Sequence, residues 1–308
     1  MKPPKLRQGD TIGIVGPASP MIPERLQRGI AYLENRGFRI KKGQFINNVY
    51  GYLAGSDAER SDDFNRMFAD PEVKAIFCTR GGYGTPRMLD LIDYDLIKNN
   101  PKIFVGYSDI TALQLAIYRK TGLVTFSGPM AAVEMGKNID AFTEEHFWKL
   151  LSDRRPTYKM TGLDGHLHCV NAGKASGKLL GGCLSMLCSV IGTPFCPNFQ
   201  NAILFIEDVG EQPYQIDRHL TQLRLAGILR QISGLVVGEF EDCLPQNDSP
   251  SLSIEQVLKD ITNGLDIPIL SGLPYGHIDV KYTLPVGVEA VLDSDEKSLI
   301  LKEPVVCA

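Results

Sequence analysis

The chain lacks the features that mark several broad protein classes. Its seven cysteines (Cys78, Cys169, Cys183, Cys188, Cys196, Cys243 and Cys307) are odd in number and form no C-x-x-C pair, which argues against a disulfide framework or a zinc ribbon. No run of about 18 apolar residues occurs, so no membrane partner is expected. The opening MKPPKLRQGDTIGIVG puts charges and prolines where a signal peptide needs an apolar stretch. These readings lead us to expect a soluble, reduced, cytoplasmic protein. A basic excess is missing too: 32 Lys and Arg face 36 Asp and Glu, a net charge of −4, which offers nucleic acid no broad attraction. The asymmetry along the chain is mild, 20 basic against 17 acidic residues up to residue 150 and 12 against 19 beyond it. Internal repeats and low-complexity tracts are absent from the sequence.

What is present is an ordinary globular composition, 308 residues with 44% hydrophobic and 22% charged, enough for two domains with sizeable cores. The first part alternates apolar runs with helical patterns. TIGIV (11–15) reads as a strand, followed by a helix with Leu26, Ile30 and Leu33 on one face. Ser56 and Glu59 form a capping box that opens a helix carrying Phe64, Met67 and Phe68. Val73–Cys78 and Ile103–Val105 read as further strands, the second leading into the helical pattern Ile110, Leu113, Ile117. Strands alternating with helices predict a doubly wound, mostly parallel α/β domain over 1–150, with its ligand crevice beyond the carboxyl ends of the strands. Polar, glycine-containing sequence over 151–178 reads as a connection. Residues 179–308 then read as a mixed, β-rich α/β domain: strands AILFI and GLVVGEF, helices opened by Pro213 and by Ser253 with Gln256, and a closing hairpin over 288–301.

Ser108 lies in FVGYSDIT, where a strand turns within two residues into a helix. Its hydroxyl would stand above the sheet beside the first free N–H groups of the helix, which favour a developing oxyanion. The match to a G-x-S-x-G elbow is partial, and a plain N-cap serine is the competing reading. A serine nucleophile needs an imidazole to take its proton and a carboxylate to hold that imidazole. Of the five histidines, His146 and His219 fall in helices. His166 and His168 form an H-x-H pair without a third ligand at recognisable spacing, so no metal site is expected. His277 sits in the loop GLPYGHI, which can carry a side chain into a crevice, although a loop histidine bonded to backbone reads equally well. Glu207 ends an apolar strand with Asp208 beside it, and strand alternation lets at most one of the two face a given partner. In RGGYG (80–84), a backbone N–H of Gly81 or Gly82 could meet a substrate oxygen and Arg80 could pair with a carboxylate. The loop fits neither dinucleotide nor P-loop spacing, so no nucleotide cofactor is expected.

Together GDTIGIVGPASP (9–20), TRGGYG (79–84), VGYSDIT (105–111), IEDVGEQPYQIDRHLTQLRLAG (206–227) and GLPYGH (272–277) resemble the LD-carboxypeptidase family, the muramoyltetrapeptide carboxypeptidases, to which microcin C immunity peptidases are related. The resemblance implies a triad of Ser108, His277 and Glu207. It also implies oxyanion donors at the backbone of Asp109 and a glycine of the loop, Gly82 in preference to Gly81, with Arg80, Gly81 and Tyr83 contacting substrate. The implied fold has two parts, the serine on the first and the other two members on the second. The implied activity is release of a terminal D-alanine from murein tetrapeptides in cell-wall recycling, by a homodimer without metal or cofactor. Phe126-Ser127-Gly128-Pro129 departs from the family by carrying Ser127 where a histidine is common. Three other readings stay open: an aminoacyl-nucleotide peptidase of the microcin C type, a non-catalytic module binding a phosphorylated ligand at RGGYG, and a cysteine enzyme using Cys78.

Overall fold

Short apolar strands separated by amphipathic helices build the first part of the chain in the computed structural model, which describes residues 1–163, 165–246 and 250–308. In order these are β1 (Thr11–Val15), α1 (Pro23–Asn35), β2 (Arg39–Lys42), α2 (Asp57–Ala69), β3 (Val73–Cys78), α3 (Tyr94–Asn99), β4 (Ile103–Gly106), α4 (Thr111–Thr121), β5 (Thr125–Ser127) and α5 (Ala141–Ser152). The strands pair in parallel in the order β2-β1-β3-β4-β5. The strand order reverses between β1 and β3, which is where a doubly wound sheet opens its crevice. Every residue of β1 and of β4 is buried, as near-continuous hydrophobic runs covered on both faces require. Helix α2 starts at the capping box, with Ser56 N donating to Glu59 Oε2 at 2.8 Å and Glu59 N to Ser56 Oγ at 3.3 Å, worth about 1 kcal/mol. It buries Phe64 and Phe68 against Phe104, with ring centroids 5.3 and 6.5 Å from the Phe104 ring.

The chain continues through β6 (Tyr158–Thr161), β7 (His168–Asn171), β8 (Lys174–Cys183), α6 (Leu184–Val190), β9 (Ile203–Val209), α7 (Pro213–Leu225), β10 (Gly234–Glu241), α8 (Ile254–Thr262), β11 (Ile269–Ser271), β12 (Leu284–Val286), β13 (Glu289–Asp293) and β14 (Ser298–Leu301). Eight of these strands form a second sheet, β6-β14-β13-β8-β9-β10-β11-β7, whose centre β8 to β11 is parallel and whose flanks are antiparallel. Strand β12 instead pairs antiparallel with β5 at the edge of the first sheet. Accordingly Met1–Arg155, Tyr282–Gly287 and Pro304–Ala308 form one unit, and Pro156–Lys281 with Val288–Glu303 form the other.

The mixed α/β architecture matches the sequence reading, but the boundaries need correcting. Residues 151–178 are not a connection: they hold the end of α5, then β6, β7 and the start of β8. Strand β6 alternates over only four residues, with Tyr158 and Met160 buried, and β7 is largely exposed, so these short edge strands give too brief a pattern to read. Residues 282–287 and 304–308 leave the proposed second domain for the first unit, because an isolated three-residue strand carries no signal of which sheet it joins. Residue 164 of the expected connection and residues 247–249 of the expected second domain lie outside the described residues. Among the described residues no helix is long and apolar enough to cross a membrane.

Candidate active site

In the first unit, β4 delivers the chain to Ser108 through Gly106 and Tyr107. Ser108 adopts φ +65°, a left-handed conformation that costs a non-glycine residue about 1–3 kcal/mol and persists only where its surroundings hold it. Gly106 is part of that hold, since a β-carbon there would meet Ile110 Cγ2 at 2.8 Å. Its carbonyl accepts from Gln114 Nε2 at 3.0 Å and from Gly128 N at 3.3 Å. The segment is thus an elbow in which Ile110, at the position of the missing second glycine, packs down on Gly106. A single 3₁₀ turn, Ser108–Ile110, follows before α4, whose N-cap is Ile110 without a side-chain cap bond. Ser108 therefore does not act as the helix N-cap, and its side chain is half-buried at the carboxyl end of β4.

The RGGYG loop packs on this elbow. A β-carbon at Gly81 would stand 2.8 Å from Ser108 Cβ and 2.9 Å from Oγ, so glycine is what allows the approach. Gly82 has φ +119° and faces Ser19, whose Oγ accepts from Tyr83 N at 3.1 Å. Arg80 Nε donates to Gly81 O at 3.2 Å. Below the loop lies Arg60, fully buried, which donates to Gly84 O at 3.0 Å and to Pro17 O, and is paired with Asp57 at 2.5 Å. Asp109 is buried and accepts from Thr85 N at 2.8 Å, while Thr85 Oγ1 donates to Asp109 O at 2.5 Å, tying the elbow to the end of the loop. Burial pushes the Asp109 carboxyl above the usual aspartate range. Cys78, the rival nucleophile, is fully buried, and burial together with Asp109 pushes its thiol well above its ordinary value, which makes it inert. Ser127 is buried on β5 in register with Gly106, so the position at which the resemblance breaks falls one strand from the elbow.

In the second unit, Glu207 lies on β9 in register with Cys183 of β8, and it is fully buried. His277 Nδ1 stands 2.7 Å from Glu207 Oε2, with the imidazole 15% exposed. A carboxylate at this distance makes Nδ1 the donor, so the ring's acceptor lone pair lies on Nε2. Gly276, at φ +134°, makes the approach possible: a β-carbon there would sit 3.1 Å from both Glu207 Oε2 and Glu239 O. The buried Lys281 holds the same turn by donating to Gly276 O at 3.2 Å. Asp208 points to the opposite face, as strand alternation demands, and accepts from Ser185 N at 2.7 Å and Cys183 Sγ at 3.3 Å.

The other histidines have different surroundings. His146 packs between Phe142 and Tyr282 at 4.1 and 4.8 Å, and burial lowers its pKa. His219 Nε2 is 3.9 Å from Glu211 Oε2, beyond hydrogen-bond distance. His166 and His168 lie near Glu239, yet among the described residues no group of three or more His, Cys, Asp or Glu could hold a metal ion. The structure therefore joins Glu207 to His277 in one unit, and Ser108 to Gly81 and Asp109 in the other. Sequence reasoning passed over Ser19, Arg60 and Gly276. Only Arg60 left a signal, a charge on the apolar face that also carries Phe64 and Met67 four and seven residues on.

Two family models match the chain. Residues 12–128 match the LD-carboxypeptidase N-terminal domain and residues 176–292 the LD-carboxypeptidase C-terminal domain. A probable murein peptide carboxypeptidase from Bacillus subtilis is 43% identical over 99% of this chain and 95% of its own. Among solved structures, MccF in complex with glutamyl sulfamoyl guanosine superimposes with a TM-score of 0.93 at 29% identity, covering 99% of both chains. A muramoyltetrapeptide carboxypeptidase from Oxalobacter formigenes gives 0.84 at 33% identity, over 94% of this chain and 97% of that one.

Proposed function

Because the chain belongs to the LD-carboxypeptidase family, we propose that it is a serine peptidase that hydrolyses an L,D-peptide bond and releases D-alanine from murein tetrapeptides in cell-wall recycling. The observation that carries this reading is the 2.7 Å bond between His277 Nδ1 and buried Glu207, the orienting half of a triad whose alcohol is Ser108 on its left-handed elbow.

In the first step Ser108 Oγ attacks the carbonyl carbon while His277 Nε2 takes the serine proton. Glu207 keeps the ring in its Nδ1–H tautomer and offsets the imidazolium charge. The N–H groups of Gly82 and Asp109 receive the oxyanion. Collapse breaks the C–N bond, and the imidazolium gives its proton to the departing amine of D-alanine. Water then attacks the acyl-serine, His277 takes its proton, and that proton returns to Ser108 as the shortened peptide leaves. Arg80 supports the carboxyl end of the substrate with its planar guanidinium. The same reading carries a cytoplasmic homodimer, which cell fractionation and sedimentation would check.

Mass spectrometry of products from a mixed muropeptide digest tests bond, stereochemistry and third-residue preference together. Wild type should release D-alanine, and Ser108→Ala should lose several orders of magnitude in rate. Equal rates would remove Ser108 as the nucleophile. The likeness to MccF bound to an aminoacyl sulfamoyl nucleoside favours a second reading, hydrolysis of an aminoacyl nucleotide of the microcin C type. Cleavage of such a compound in preference to the tetrapeptide would select it.

A further inference from the structure

We propose that the exposed ring pair Tyr52–Tyr83, on the loops beside Ser108, is a carbohydrate-stacking subsite for the sugar portion of a glycan-bearing peptide substrate. The proposal rests on the murein-peptide reading above and goes beyond it by assigning a place to the sugar.

Three large aromatic side chains stand in solvent near this rim, Tyr50 at 65% exposure, Tyr52 at 64% and Tyr83 at 46%. Exposed aromatic surface that contributes nothing to a core points to a binding role when it is clustered and held. The Tyr52 and Tyr83 rings are 5.7 Å apart between centroids and inclined at 60°, so they form two walls of a shallow corner. Their backbones are fixed. Tyr50 N donates to Leu53 O at 2.8 Å and Leu53 N to Tyr50 O at 3.0 Å, closing a tight turn through Gly51. Leu53 is buried, and a β-carbon on Gly84 would meet its Cδ2 at 2.6 Å, so the turn is seated on the RGGYG loop itself. Ala54 N donates to Ala18 O at 2.9 Å and Tyr83 N to Ser19 Oγ at 3.1 Å, binding both strips to the segment after β1. Arg87 lies beside the two tyrosines and is itself held by Asp57, through bonds of 3.0 and 2.9 Å.

The chemistry suits a pyranose. A tyrosine ring offers an apolar face to sugar C–H groups and a hydroxyl to sugar oxygens, and it loses little rotamer entropy on binding. The spacing suits a murein tetrapeptide. Its sugar is attached three residues before the scissile bond, and three extended residues span about 10 Å. Tyr83 follows two residues after Gly81, which packs on Ser108, so its backbone lies within about 7 Å of that contact.

The test compares the free tetrapeptide with the same peptide carrying an N-acetylglucosaminyl-N-acetylmuramic acid disaccharide. Wild type should show the lower KM on the glycosylated substrate, and Tyr52→Ala should erode that discrimination about tenfold, with Tyr52→Phe restoring most of it. A discrimination ratio that Tyr52→Ala leaves intact overturns the proposal. The free disaccharide, followed by saturation-transfer NMR, reads the subsite without turnover. Signal in wild type that is lost in the Tyr52→Ala/Tyr83→Ala protein supports it, and no signal, or signal that survives the double substitution, overturns it. Failure of peptide hydrolysis alone would strike the murein reading and leave the sugar-binding result to stand by itself. Competition by a nucleoside where the disaccharide has no effect overturns the sugar assignment.

Discussion

Gly81 leaves no space for a side chain against Ser108: a β-carbon on it would lie 2.9 Å from the serine Oγ. Gly81 is absent from the positive-φ positions, so alanine is compatible with its backbone and the clash is the whole effect. Gly81→Ala should therefore fold normally and displace the hydroxyl by a fraction of an ångström to about 1 Å. Misplacement on that scale costs about 100-fold in kcat/KM. Steady-state kinetics beside a melting curve checks this: a large kinetic loss with little change in Tm is the expected pattern, and an unaffected rate would show that the contact has no catalytic consequence.

Glu207→Gln retains the shape of a fully buried residue while replacing an acceptor-only group with an amide. The amide no longer favours the Nδ1–H tautomer of His277 and no longer offsets an imidazolium. The expected loss is about 10⁴-fold in kcat, the scale of the equivalent change in a serine-protease triad. Fluorophosphonate labelling of Ser108 should slow in parallel, since the same base activates the serine toward both reagents. Labelling at the wild-type rate would place Glu207 outside the reaction.

Much of this site was legible in the sequence because its parts lie at element junctions with strong local signals. Ser108 follows a buried strand, Glu207 ends another, and His277 lies in a Gly/Pro loop; each is marked by a switch from apolar to polar or glycine-rich sequence. What decided between their alternatives was not local. Glu207 and Asp208 are adjacent, and only the path of the 272–277 loop settles which one His277 meets. The N-cap reading of Ser108 fell to a single dihedral, which no spacing reports. The capping box at Ser56 and the apolar faces of α2 and α7 followed their periodicity, whereas β6, β7 and β12 left no readable signal: three or four residues are too short a pattern, β7 is largely exposed, and β12 is buried throughout. Which sheet β12 joins is a question of long-range pairing.

Arg60 sits on the buried face of α2 and supplies donors to Pro17 O and Gly84 O from two different loops. Replacing it with methionine fills most of the space and leaves both carbonyls without their partner. Asp57 retains Arg87, so the cost comes mainly from the orphaned carbonyls, about 2–4 kcal/mol. Because Gly84 O belongs to the RGGYG loop, Arg60→Met should lower activity at temperatures well below its melting point. Chemical denaturation with a parallel rate measurement checks both effects, and an unchanged unfolding midpoint would show that water replaces the guanidinium.

Lys102 gives the fold a pH signature of its own. Its side chain is buried just before β4, donating to Met67 O at 2.8 Å and to Asp70 O. Burial, which disfavours the charged amine, pulls its pKa down to about 8 from an ordinary 10.5. Between those two values the unfolded chain binds more protons at this residue than the native one, so stability rises with pH across the interval. Below it, both states carry the ammonium and the full desolvation cost is present; above it, both are neutral and the cost is gone. The contribution is thus least favourable near neutrality and is relieved through roughly pH 8 to 10.5. Lys102→Met removes this titration. The unfolding free energy of wild type minus that of the variant, measured in urea from pH 7 to 10, should stay nearly level to about pH 8 and then climb, and a flat difference throughout would show that Lys102 titrates as an ordinary surface amine.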